Sequence, residues 1–100
     1  MKPIEKILEE INLPAAYMRF GSVTHPPYLI YYARGADNYM ADDSVYHSEY
    51  KYTIEYYFTI KSRENEQEIE SILNKNEIVW GKSEDIYIES EDMYLIKYFI

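Results

Sequence analysis

Cysteine is absent from the 100 residues. That excludes disulfide staples, thiol nucleophiles and thiolate metal sites, and it predicts a protein made in a reducing compartment, with the cytoplasm as default. The only histidines are His25 and His47, and neither stands at metal-ligand spacing from other donors. With three glycines in all, no Gly-rich loop can bring backbone N–H groups close around a phosphate, and G-x-S-x-G and H-E-x-x-H do not occur. Positive charge is scarce: 10 Lys and Arg stand against 18 Asp and Glu, a net charge of -8. The excess is spread along the chain, 4 basic against 7 acidic residues in 1–50 and 6 against 11 in 51–100. Nucleic-acid backbones and anionic membranes are both held by clustered cations, so both are disfavoured as partners. The longest apolar run, Tyr28 to Ala33, is six residues, far below the roughly 20 a membrane-spanning helix needs. The polar start Lys2-Pro3-Ile4-Glu5-Lys6 has no apolar run of signal-peptide length, and export by that route is not expected.

What the chain has in surplus is tyrosine, 13 against 3 Phe and 1 Trp. A tyrosine covers a large apolar area and keeps a polar tip, so it suits a half-buried strand or a surface that is wet at one stage and covered at another. One hundred residues support one hydrophobic core, and a single domain over 1–100 is expected.

Ile4, Ile7, Leu8 and Ile11 recur at helical spacing, with Pro3 suited to the first turn and Asn12 and Pro14 as stop signals. Ala15 to Phe20 predicts a short strand, Gly21 to Pro27 a loop, and Tyr28 to Ala33 a strand buried on at least one face. Arg34 to Ser44 is either a long hairpin connection or a projecting loop, with Tyr39 and Met40 inside it. From Val45 to Lys61 the chain alternates. Tyr50, Tyr52, Ile54, Tyr56, Phe58 and Ile60 define a core face, and Lys51, Thr53, Glu55, Tyr57, Thr59 and Lys61 the other. Ser62 caps a second helix with Ile69, Ile72 and Leu73 as its stripe, closed by Lys75 and Asn76 as the αL-tolerant residue. Ile78 to Trp80 predicts a strand. Ile86–Glu89 and Met93–Ile100 then form a hairpin around Ser90-Glu91-Asp92, the last strand being apolar on both faces and therefore central or covered by a neighbour. The expected fold is α+β: a mainly antiparallel sheet with the N-terminal and second helices on one face and a long protruding β-hairpin.

No catalytic, cofactor-binding or metal-binding residue is expected. Asp37, Asp42 and Asp43 lack the spacing and internal glycine of a calcium loop, and Glu89, Glu91 and Asp92 at a hairpin tip have nothing to shift a pKa toward acid-base work. The interface candidates among the tyrosines are Tyr39, beside Met40 in a polar loop, Tyr46 near the far end of the long strand, and Tyr57 on the face opposite the core. An aromatic patch left by one-sided helix packing predicts self-association or docking.

Asp37-Asn38-Tyr39-Met40-Ala41-Asp42, Val45-Tyr46, Tyr52-Thr53-Ile54-Glu55-Tyr56, the Glu-rich helix and Ile88-Glu89-Ser90-Glu91-Asp92-Met93-Tyr94 together resemble small tail terminator and tail completion (head-tail joining) proteins of long-tailed phages and prophages of Gram-positive bacteria. The likeness runs over about Pro27 to Ile100, with Leu13-Pro14-Ala15-Ala16-Tyr17 in keeping. The chain departs from the pattern at Thr59-Ile60-Lys61-Ser62-Arg63-Glu64, where a charged turn with Asp and two Lys is expected. The resemblance implies a virion structural subunit, assembled in the host cytoplasm as a ring, with a hexamer expected. Such a ring caps the tail tube and contacts the tube protein and the head-tail connector. It also implies that Asp37, Asn38, Tyr39, Met40, Asp42, Val45 and Tyr46 meet a neighbouring subunit through a heterologous contact. A negative channel lets DNA pass without specific binding. The alternative from another class is a small acidic inhibitor or DNA mimic of phage origin, against which Lys51, Lys61, Lys82 and Lys97 interrupt the strands that would carry the carboxylates.

Overall fold

A computed structural model describes residues 2–34 and 50–100. The elements run α1 (Ile4–Glu9), β1 (Ala15–Tyr17), β2 (Tyr28–Ala33), β3 (Tyr52–Phe58), α2 (Arg63–Lys75), β4 (Gly81–Lys82), β5 (Ile86–Ile88) and β6 (Met93–Phe99). They build a small α+β domain around one six-stranded sheet of order β1-β2-β3-β6-β4, with β5 also on β6. Every strand pairing is antiparallel except β1 with β2, which is parallel.

The helical stripes pack as their spacing demands. Ile4, Ile7, Leu8 and Ile11 are buried, and so are Ile69 and Leu73, with Ile72 packed partly against them. Their support is one face of the sheet, made by Leu29 and Tyr31 of β2, Ile54, Tyr56 and Phe58 of β3, and Ile96 and Tyr98 of β6 with Ile100 beyond. The helices are also tied to each other at their ends. Asn12 N–H donates to Glu68 Oε2 at 3.0 Å, and the Asn76 side-chain amide donates to Glu10 Oε1 at 3.3 Å. Burying five large helical side chains, with Ile11 just beyond α1, on a sheet is what stabilises helices this short, since neither would persist alone in water.

The boundaries differ from the sequence expectation at four places, each with a physical cause. Strand β1 ends at Tyr17 because Met18 takes a positive φ of 69°. Of the long alternating segment, residues 45–49 lie outside the described residues, and within 50–61 the strand covers Tyr52–Phe58. Phe58 faces Tyr94, the second residue of β6, so the backbone beyond has no ladder partner and Ile60 is 80% exposed rather than in the core. The strand expected at Ile78–Trp80 is a helix-ending motif. Glu77 adopts φ 60°, Glu77 N–H donates to Asn74 O at 2.9 Å and Ile78 N–H to Leu73 O at 2.9 Å, which is the paired hydrogen-bond pattern of a Schellman cap. Asn76, the expected left-handed residue, instead has φ -90°. Ile78 is thereby drawn into the core at 7% exposure, and strand pairing starts only at Gly81, opposite Phe99.

The Ser62 cap, the internal β6 and the β2–β3 pairing follow the expectation. Ser62 caps α2, its Oγ accepting from Asn65 N–H at 3.1 Å. Strand β6 is internal, as expected, with β3 along one edge and β4 and β5 end to end along the other. Strands β2 and β3 are antiparallel neighbours from Tyr28↔Tyr57 to Ala33↔Tyr52, and Arg34 N–H continues the ladder to Lys51 O at 2.8 Å. The connection at 35–49 lies outside the described residues.

Candidate functional site

Both described helices bury on one face, and among the described residues the other face of the sheet carries no helix. Period-two alternation and the register fix what it presents: Tyr28, Ile30 and Tyr32 from β2 stand opposite Tyr57, Glu55 and Thr53 from β3, which in turn stand opposite Leu95, Lys97 and Phe99 from β6. Glu55 is therefore the centre of a three-by-three array whose other members are mostly aromatic or aliphatic.

The phenols around that carboxylate are placed by the register. Tyr57 lies two residues along the same strand and donates from its hydroxyl to Glu55 Oε1 at 2.6 Å. Tyr32 is the diagonal cross-strand neighbour and donates to Glu55 Oε2 at 2.8 Å. Both oxygens of one carboxylate are thus held by neutral donors, which orients the group without cancelling its charge. Burial and the adjacent Glu55 carboxylate push the Tyr57 hydroxyl well above the usual phenol range, and the same two causes raise Tyr32. Tyr28 is raised by burial and then by Glu91. All three phenols are therefore protonated donors at neutral pH.

Aromatic stacking builds the wall beside the carboxylate. Tyr28 and Tyr57 stack with centroids 5.1 Å apart and planes at 28°, and Phe20 meets Tyr28 edge-on at 5.2 Å. The Tyr28 hydroxyl points to Met93 Sδ at 4.0 Å. The segment after β1, with Met18, Arg19 and Phe20, and the β5–β6 turn, with Ser90 and Glu91, rise on either side. Between them lies an open groove of about 580 Å³ with Tyr28, Ile30, Tyr32, Glu55 and Tyr57 as its floor.

A second polar cluster has a structural role. Glu66 of α2 is 6% exposed and forms ion pairs with Lys61 at 2.8 Å and Lys82 at 3.0 Å. Lys61 also reaches Asp85 at 3.0 Å and Lys82 reaches Glu70 at 2.6 Å. Glu70 accepts in addition from the buried Tyr98 hydroxyl at 2.7 Å. Glu66, Glu70, Lys61 and Lys82 each have two partners and Asp85 pairs with Lys61, so the network pins the β4 region and the end of β3 to α2. A third feature, a groove of about 1020 Å³, contains Lys2, Arg34, Lys51 and Trp80. Arg34 is consumed there by Tyr52 O at 2.7 Å and Ile100 O at 2.9 Å, holding the ends of β3 and β6. Arg34 and Tyr50, which both line this groove, flank residues 35–49, which lie outside the described residues.

Of the sequence-derived interface candidates, Tyr57 lies on the face opposite the helices, in the floor of the groove. Asp37, Asn38, Tyr39, Met40, Asp42, Val45 and Tyr46 lie outside the described residues. Sequence reasoning placed Glu55 on the same face as Tyr57 and gave it no role. The alternation held that signal, but the convergence of Tyr32 on it depends on the β2–β3 register. Among the described residues, no three His, Asp or Glu side chains come together as a metal-ligand set, and no helix is long and apolar enough to cross a membrane. No known protein family, curated protein or solved structure matches the chain.

Proposed function

We propose that the chain is a non-catalytic assembly subunit of a long-tailed phage, a tail terminator that forms a ring, expected to be a hexamer, on the tail tube and joins it to the head connector. The observation that carries this reading is the one-sided sheet. Two helices cover one face, and the other offers a groove of stacked tyrosines, Phe20 and Met93 around one carboxylate. The tyrosines of this groove are half-buried rather than sealed in the core, and assembly surfaces are enriched in tyrosine and methionine. The likeness of Tyr52–Tyr56 and Ile88–Tyr94 to tail terminator segments supports the same reading, because those residues form β3 and the β5–β6 turn that border the groove. The net charge of -8 suits a channel wall along which DNA slides without counterion-release binding.

Solution mass at several concentrations, followed by negative-stain imaging with purified tail tubes, tests the proposal. A ring that seats on one end of the tube is expected. A protein that stays monomeric throughout and ignores tubes and connectors overturns it, and salt-sensitive binding to a basic nuclease would then favour the acidic-inhibitor alternative.

A further inference from the structure

We propose that the groove around Glu55 is a socket for an arginine side chain presented by the protein that packs on this face. This rests on the reading of the helix-free face as an assembly surface and names the chemistry that surface selects.

Four observations converge. The Glu55 carboxylate is oriented by Tyr57 at 2.6 Å and Tyr32 at 2.8 Å, and both donors are neutral phenols, so neither brings a cation to it. Each oxygen retains lone-pair capacity beyond the one phenol it accepts from. The stacked Tyr28 and Tyr57 rings line the same groove as the carboxylate, and aromatic rings attract a guanidinium by cation–π contact. The charged groups lining the groove are Arg19, Glu55 and Glu91, a net charge of -1 in a chain whose overall charge is -8, so the complementary occupant is a cation.

The chain's own lysine does not fill the place. Lys97 is the cross-strand neighbour of Glu55, but it approaches from β6, whereas the groove opens over β2 and the phenols, and Lys97 is not among its lining residues. Arginine is favoured over lysine because a planar fork can engage two oxygens and stack at once, while an ammonium acts as a strongly hydrated point charge. About 580 Å³ is ample for one such side chain and the backbone that carries it.

The test uses the full chain at a concentration where its mass is that of a monomer. The probes are N-acetylated, C-amidated Gly-Arg-Gly and its Lys and Gln counterparts, and the readout is backbone-amide NMR shifts. The arginine peptide is expected to give saturable, salt-weakened shifts confined to residues 28–32, 55–57 and 88–93, with lysine weaker and glutamine silent. Glu55→Gln is expected to weaken arginine binding by about tenfold or more. Tyr32→Phe, which leaves the carboxylate in place but loosens it, is expected to weaken binding by a smaller factor. If Glu55→Gln does not fold, the Tyr32→Phe comparison and the shift map decide the matter alone. Binding that is unchanged in the variants, shifts elsewhere on the surface, or a glutamine peptide as good as arginine overturns the socket. A several-fold gain in Lys97→Met also overturns it, because Lys97 would then be the native occupant. Assembly is read separately by mass: rings without arginine binding refute the socket alone, and arginine binding by a permanent monomer refutes the ring alone.

Discussion

The two faces of the sheet use tyrosine in opposite ways. On the helix side, Tyr56 and Tyr98 are completely buried, and each hydroxyl is matched by a residue of α2. Tyr56 accepts from the Asn65 side-chain amide at 3.2 Å and Tyr98 donates to Glu70 at 2.7 Å. On the helix-free side, Tyr28, Tyr32 and Tyr57 are half-buried, and two of the three hydroxyls converge on a carboxylate within the sheet itself. The identity of the phenol's partner separates the two uses. A phenol bonded across layers is part of the fold, while phenols gathered on one exposed-side charge prepare a surface.

That contrast is broken most directly by truncation. Tyr98→Ala removes a fully buried ring packed edge-on against Trp80 with centroids 5.7 Å apart, and it strips one donor from Glu70. A loss of about 3–5 kcal/mol in denaturant unfolding is expected. Tyr57→Ala, on the other face, gives up only half-buried area and one stack, and about 1 kcal/mol is expected. Equal losses in the two variants would mean that the helix-free face is as much a part of the core as the covered one.

A smaller effect tests whether the covered side is fastened by charge as well as by packing. Glu66→Ala leaves Lys61 and Lys82 facing each other with only Asp85 and Glu70 to balance them, and a loss of about 1–3 kcal/mol is expected. Urea unfolding of the variant at low and high salt checks it. A loss that persists in high salt matches a buried pair, whereas one that vanishes matches a screened surface contact.

Much of this architecture is visible in the chain before any coordinates. The stripes Ile4-Ile7-Leu8-Ile11 and Ile69-Ile72-Leu73, the Ser62 cap, the faces of β3 and the internal position of β6 all follow from periodicity and local chemistry. The parallel setting of β1 does not, because a three-residue strand carries no mark of its direction. The end of α2 was obscured by Asn76, which has the side chain expected of a left-handed residue while Glu77 takes that conformation; only the hydrogen bonds to Asn74 and Leu73 decide between them. The burial of Glu66 is not legible locally, since it depends on lysines 5 residues before and 16 residues after it. Glu55 was legible as a position and not as a site, because period-two alternation gives the face and only register gives the neighbours.

The smallest expected effect concerns pH and again falls on the covered side, where Glu10 joins the two helices. Hydrogen bonds from Lys2 and then the Asn76 amide, outweighing some desolvation and aided by the Lys2 and Lys75 charges, lower its carboxyl from 4.5 to about 2. A carboxylate whose folded pKa is depressed contributes stability that is complete above its unfolded value and is lost as pH falls through the folded one. Stability is therefore expected to be flat near neutrality with respect to this group and to decline between about pH 4.5 and 2. Glu10→Gln should lower stability at neutral pH and remove that part of the acid decline, so the wild-type and variant curves approach each other toward pH 2. Thermal unfolding across this pH range provides the measurement. Parallel curves would show that Glu10 does not couple the helices and that the covered face is held by packing and by the Glu66 network alone.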